Sequence, residues 1–374
     1  MSTIRVALSK LIPGMQVADD VYNRDAQLIV PKGVSLTDRI LNRLKYYSIE
    51  TVVIYLPEGY VPEPDELMDN DTNTPEPKAA PEFKTHSQKI RESKEFLKYS
   101  ETFYEARESF KYELNDIADR NTKVDIDKMF GTTAEIINTA DSSYQVFDML
   151  HNMRHFDDST FAHSLNVSII CNIMGKWLQM NEDDIKILTV AGLMHDIGKL
   201  MIPNEIITKP GKLTDEEYNT IKQHPKLGYG LLAKQDLDPR IAQSALCHHE
   251  KCDGTGYPLH LTGDKIPPFA KIVCIVDIYE AMTADRVYRK GLCPFEVIRS
   301  FEAEGFQKYD PKFILTFLKG IVQTYMHETV ELSNGEQGSI IMINDNSLSR
   351  PVIQTKNSFI DLSREKDLII TQIL

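Results

Sequence analysis

No stretch of the 374-residue chain approaches the ~20 consecutive apolar residues that span a bilayer. The first residues, MSTIRVALSKLIPGM, contain no apolar secretory core, so a cytoplasmic protein without a membrane span is expected. Cysteine is scarce. Cys171, Cys247, Cys252, Cys274 and Cys293 form no CxxC pair, and an odd number cannot close a complete intramolecular set, so reduced thiols are expected. Positive charge is in deficit: 42 Lys and Arg stand against 55 Asp and Glu, a formal charge of −13. That average field repels long polyanions and speaks against double-stranded nucleic acid as a partner. It still admits a small phosphorylated ligand where metal ions and a few cations cluster. What is present, 42% hydrophobic and 26% charged residues, is the composition of a globular protein too long for a single core.

Residues 1–56 alternate short β-like runs (IRVAL, MQVADDVY, AQLIVPKG, TVVIYL) with one helical stretch, LTDRILNRLKYY, and predict a small α+β module. Residues 57–86 hold six of the 18 prolines and an acidic excess, which predicts a linker or long exposed loop. Connecting helices are expected over 87–144. Within 87–120, Phe96, Phe103, Phe110 and Ile117 recur at a seven-residue step, which fits either a helix packed on its own domain or one that forms a homodimer. Apolar helical patterns dominate 145–328 and are broken by two Gly- and Pro-bearing loops, IPNEIITKPGKLT and DGTGYPLHLTGDKIPP. Residues 329–374 return to β-like runs and predict a small appendage. The fold class expected is mainly α, with a small α+β module before the helical domain and a small β-rich module after it.

Five of the ten histidines, His163, His195, His224, His248 and His249, fall within one 87-residue stretch, beside turns or on apolar helices. Each buried imidazole needs a partner, and one cation satisfies several, particularly where carboxylates such as Asp196 and Asp277 neutralise its charge. His195 and Asp196 end the apolar run LTVAGLMHDIGK, and an aspartate has two oxygens with which to bridge two ions. Alone, each histidine has an ordinary reading: His195 as a satisfied core residue, His224 as a helix-end residue before Pro225. The doublet His248–His249 before a Gly-rich loop, and Asp277 in the apolar run AKIVCIVDIYEAM, favour ligation. His151 and His155 read as ordinary interface residues, and Glu250 as a hydrogen-bond partner of a neighbouring imidazole.

The segments HDIGK, KPGKLT, HP, HHEKCDGTGYP and IVDIYEAMTADRVYR, in this order over about 145–325, resemble the HD-GYP phosphodiesterases of the HD superfamily. The resemblance implies an all-helical domain that holds iron or manganese ions and hydrolyses cyclic di-GMP to pGpG, often onward to GMP. Seven family ligands match His163, His195, Asp196, His224, His248, His249 and Asp277. The lysine after the HD pair is Lys199, and Asp253, Gly256, Tyr257 and Pro258 match the GYP loop and are expected at the substrate. Members with a third metal carry a glutamate four residues before the first histidine, where this chain has Ser159, so two divalent ions are expected.

In that chemistry a metal-activated water attacks phosphorus in line while the ions screen the charge that develops. Asp196 bridges the ions, and Lys199 serves the non-bridging oxygens or the leaving oxygen. Arg286 and Arg289, nine and twelve residues after Asp277 on what reads as a continuing helix, are expected to contact the second phosphate or a guanine edge; their ordinary alternative is a solvated helix end paired with Asp285 or Glu280. The competing functions are a catalytically weak cyclic-dinucleotide sensor or partner-binding module, and a phosphodiesterase for another dinucleotide such as cyclic GMP-AMP.

Overall fold

The structure is a computed structural model, and it describes residues 3–22, 28–37, 40, 41, 44, 49, 51–55, 90–120, 122–153, 160–209, 211–285 and 290–374. The expected linker 57–86 lies outside the described residues, as do Ser159, Arg286 and Arg289 and most of the LTDRILNRLKYY helix. The chain divides into two compact units, Met1–Lys98 and Tyr99–Leu374.

In the first unit β1 (Thr3–Ala7) pairs antiparallel with β4 (Thr51–Tyr55), and β2 (Val21–Tyr22) with β3 (Leu28–Val30). Alternation places Val52 and Ile54 inward, where they join Val17, Ile29, Leu36 and Leu44 in an apolar core.

Helix α1 (Lys94–Arg120) carries the seven-residue stripe, and Phe96, Phe103, Phe110 and Ile117 are all buried within the chain. There follow α2 (Ile126–Ile137), α3 (Ser143–Met153), α4 (Thr160–Trp177), α5 (Glu182–Met194), α6 (Asp215–Ile221), α7 (His224–Leu232), α8 (Pro239–Cys247), α9 (Pro268–Thr283), α10 (Pro294–Lys308) and α11 (Pro311–Gln323). Their starts are legible in local chemistry. Asn181 caps α5 ahead of three acidic residues, Thr214 and Glu217 close a reciprocal capping box on α6, and Asp238 and Asp310 cap α8 and α11 ahead of prolines at the first helical position.

Helix α4 is buried on every side from Ala162 to Gly175, and α9 is nearly so, which makes them the centre of the domain. Helix α4 packs on α5, α9 and α11; α8 bridges α5, α7 and α9. One expectation is corrected here. The helix bearing Asp277 does not continue towards Arg286: it ends at Thr283, Ala284 is extended, and the chain turns back so that the Leu292 N–H donates to the Met282 carbonyl.

The end of the chain forms an antiparallel sheet of β5 (Thr329–Leu332), β6 (Gln337–Met342), β7 (Val352–Thr355), β8 (Phe359–Asp361) and β9 (Ile370–Ile373), in the order β8-β7-β6-β5-β9. It is tied to α10 by Glu302, whose carboxylate accepts from the Leu348 N–H (2.5 Å) and the Ser349 hydroxyl (2.5 Å). The observed class is mainly helical with this small sheet, as expected. Among the described residues no helix is long and apolar enough to cross a membrane.

Candidate metal centre

The seven expected ligands meet in one place although they come from five helices and the turns beside them. His163 lies on α4. His195 caps α5, and Asp196 begins the tight turn Ile197–Met201. His224 opens α7, His248 and His249 follow α8, and Asp277 lies on α9. The turn after Asp196 passes so close to α7 that a Cβ on Gly198 would stand 2.0 Å from the His224 carbonyl oxygen; only glycine permits the approach that brings the HD pair to His224.

The donors sort into two sets around Asp196. Its Oδ2 faces His195 Nε2 (3.4 Å) and His163 Nε2 (3.7 Å), while its Oδ1 faces His224 Nε2 (3.2 Å) and His248 Nε2 (3.8 Å). Asp277 joins the first set through His163 Nε2 at 3.0 Å and reaches towards His249 Nδ1 at 3.8 Å. His163, His195 and Asp277 place ligand atoms within 4.8 Å of one another, and so do His224, His248 and His249. A carboxylate whose two oxygens each serve a different histidine set has the geometry of a bridge.

The outer nitrogens establish which way the imidazoles present their lone pairs. His195 Nδ1 donates to the Gly192 carbonyl (2.7 Å), His224 Nδ1 to the Ile221 carbonyl (2.7 Å) and His248 Nδ1 to the Ala245 carbonyl (2.9 Å). A carbonyl only accepts, so Nδ1 carries the proton in each ring and a neutral ring turns a bare Nε2 inward. His224 Nε2 and His248 Nε2 then face each other at 3.2 Å as two lone pairs, an arrangement that repels unless a cation or proton stands between them. Burial lowers the His224 pKa to about 4, against the pull of Asp196, and lowers that of His248 as well, so a proton is disfavoured. His195 Nε2 and Asp196 Oδ1 are buried with no hydrogen-bond partner. Orphaned donors and acceptors converging in this way fit divalent ions, and His and Asp without thiolate is a set that iron and manganese accept.

The remaining electrostatics agree. Burial lowers the His249 pKa to about 3 although Asp277 opposes it. Burial would also lower His163, but the carboxylates of Glu280 and Asp277 outweigh it and push it up to about 9, marking that position as one that attracts positive charge. Asp196 is held well below the usual carboxylate range despite its burial, chiefly by Lys199 and then His195; Asp277 is lowered likewise by His163. Lys199 Nζ sits 2.5 Å from Asp196 Oδ2.

Around the GYP loop the expectations divide. Tyr257 stacks on His249, ring centroids 4.6 Å apart. Gly256 is required by packing, because a Cβ there would lie 2.5 Å from the Glu250 Cα and the His249 carbonyl oxygen. Pro258 is partly buried beside them. Asp253 is exposed and its Oδ1 accepts from the Thr255 N–H (3.0 Å) and hydroxyl (2.7 Å), a local turn that shapes the loop.

Glu250 does not hydrogen-bond a neighbouring imidazole as expected. Its carboxylate accepts from the Leu259 N–H (2.6 Å) and the Leu261 N–H (2.9 Å) and so pins the loop. Glu280, read from sequence only as a surface partner for an arginine, is buried; it accepts from the His163 Nδ1–H and from Asn166 Nδ2 (2.9 Å). It does for His163 what backbone carbonyls do for His195, His224 and His248. The only signal for it was a second carboxylate three residues after Asp277 on the same apolar helix.

Comparison with known proteins follows the same lines. Residues 137–313 match the family model described as HD domain. A cyclic di-GMP phosphodiesterase of Pseudomonas aeruginosa is 32% identical over 206 residues, 55% of this chain and 50% of that protein. The 3'3'-cGAMP-specific phosphodiesterase 1 of Vibrio cholerae is 38% identical over 150 residues, 39% of this chain and 34% of that one. The chain therefore spans half or less of the length of these curated relatives. Among solved structures, an HDG"Y"P protein from Bdellovibrio bacteriovorus superposes with a TM-score of 0.50 at 16% identity, over 86% of this chain and 100% of that one, a likeness of fold.

Proposed function

We propose that the chain hydrolyses a cyclic dinucleotide, with cyclic di-GMP as first substrate, at a two-ion centre held by His163, His195, Asp196, His224, His248, His249 and Asp277. The observation that carries this reading is the pair of inward Nε2 lone pairs on His224 and His248 at 3.2 Å, beside the unpartnered Asp196 Oδ1. Bound divalent ions supply Lewis acidity towards the phosphoryl group and lower the pKa of water. In the balanced reaction the water oxygen bonds to phosphorus, the P–O3′ bond breaks, and one proton ends on the leaving oxygen. Asp196 faces both histidine sets and holds Lys199, whose ammonium would neutralise a non-bridging oxygen or supply the proton at O3′. Glu280 and the carbonyls fix the rings before substrate arrives.

Iron or manganese is the metal in this reading, supported by the all-imidazole and carboxylate donor set. Five thiols, none in a disulfide, support a cytoplasmic setting. The division into 1–56, 57–86, 87–144, 145–328 and 329–374 is retained, with Arg286 and Arg289 as substrate contacts. A homodimer through 87–120 would use the outward side of α1, where Tyr112 is exposed, since the heptad stripe is already buried; light scattering of the full chain reads it. Hydrolysis of 3′3′-cyclic GMP-AMP is the second reading, favoured by the Vibrio cholerae relative.

The test is incubation of anaerobically metal-loaded protein with each dinucleotide and chromatographic identification of products. Linear pGpG from cyclic di-GMP is expected. Tight binding without product over many hours would instead support the sensor function.

A further inference from the structure

Beside His249, which forms part of its wall, lies a cavity of about 270 Å³ lined also by Tyr218, Lys222, Lys251, Gly256 and Tyr257. Neither Tyr218 nor Lys222 belongs to the metal cluster. We propose that this cavity is a base subsite in which Lys222 reads guanine, an inference that rests on the cyclic-dinucleotide reading above and names the residue that selects the base.

The volume falls just under the ~300–1,000 Å³ of pockets for drug-sized ligands, which suits one base with its sugar edge rather than a whole dinucleotide. Its position agrees. His249 belongs to both places: its ligand nitrogen lies among those of His224 and His248, and the Tyr257 ring stacks against it. A phosphate at the ions therefore leaves the attached nucleoside next to Tyr257.

The lining is what a base needs. Lys222 Nζ stands 4.8 Å from the Tyr257 ring centroid and 5.6 Å from that of Tyr218, so the ammonium is held between two aromatic rings by cation–π attraction. Tyr218 is 51% exposed and offers a stacking surface at the outer edge, sequence-tolerant because every base has a π-face. Of the two lysines in the lining, Lys222 is the one held over the rings, so selection falls to it; an ammonium donates and never accepts. Guanine presents two acceptors, O6 and N7, on its Hoogsteen edge; adenine presents N7 beside an N6 donor, which opposes the ammonium.

The test compares kcat/KM for cyclic di-GMP and cyclic di-AMP in the metal-loaded full chain, its Lys222→Met and Lys222→Arg variants, and Tyr218→Ala, with metal content measured on each. Wild type is expected to prefer guanine. Lys222→Met should cut the guanine-to-adenine ratio about tenfold through the guanine substrate alone, while Lys222→Arg, which donates to the same two acceptors, should keep it. Tyr218→Ala, on an exposed side chain, should raise KM for both substrates with little change in kcat. Equal losses on both substrates in Lys222→Met, as a phosphate contact or a purely structural role would give, overturn the proposal. So does a wild type without base preference. If the holoprotein cleaves neither dinucleotide, the functional reading fails separately, and the subsite is read by equilibrium binding of GMP against AMP, where equal affinity overturns it.

Discussion

The two compact units differ in whether they bury polar side chains beside their apolar ones. Among the described residues of Met1–Lys98 every buried side chain is apolar, with Val6, Val17, Ile29, Leu36, Val52 and Ile54 forming a core that needs nothing from outside. In Tyr99–Leu374 the meeting point of α4, α5, α7, α8 and α9 buries His163, His195, Asp196, His224, His248, Asp277 and Glu280. Burying polar groups without partners costs free energy, of the order of 1–3 kcal/mol each. The first core is an ordinary product of hydrophobic burial. The second leaves His195 Nε2 and Asp196 Oδ1 without partners, and in the proposed reading a cation supplies them and links stability to function.

The largest effect expected is from Asp196→Ala, which removes the carboxylate serving both histidine sets. Turnover of cyclic di-GMP should fall by more than ~100-fold, the upper figure for losing an outer partner of a ligand, in a chain whose far-UV circular dichroism is retained. Near-normal turnover would remove Asp196 from the centre. The opposite side of the comparison is probed by Leu36→Ala in the apolar core. It should cost ~2–5 kcal/mol in the unfolding of Met1–Lys98, read by denaturant titration, while metal content per chain stays at the wild-type value.

Chelation with EDTA should separate the units by calorimetry. The helical unit loses about 3 kcal/mol for each ion previously held at a hundredfold excess over its Kd, or roughly 5–10 °C, and the first unit keeps its transition. Equal shifts in both units, or none, would dissolve the contrast. The smallest effect is Glu280→Gln. The amide keeps the size of the side chain but loses the charge facing His163, so metal affinity should weaken ~10–100-fold in competition with a chromophoric chelator.

What the sequence disclosed and what it withheld divide along the same physical line. Residue type alone singled out His248, His249 and Asp277, which an apolar helix or its end does not otherwise tolerate; His163, His195, Asp196 and His224 joined them only through the resemblance. The caps Asn181, Thr214, Asp238 and Asp310 were not singled out from the sequence, although each acts within a few residues of its helix start.

Tertiary partners were not legible. Glu280 looked like one more charge near a helix end, and only the packing of α9 on α4 turns it onto His163. Glu250 lay beside two histidines in sequence, yet the fold aims it at backbone N–H groups nine and eleven residues later. The end of α9 at Thr283 was hidden inside a helical pattern, because the chain's return to Met282 is a non-local contact. Lys222 escaped notice since its rings come from α6 and from a separate loop.

Metal stoichiometry of anaerobically purified protein, by plasma mass spectrometry, tests the central claim most directly. Two divalent ions per chain are expected, with a clear loss when His224→Ala removes one of the two facing lone pairs. A wild-type chain that binds no metal under reducing conditions, with iron and manganese both offered, would contradict the account.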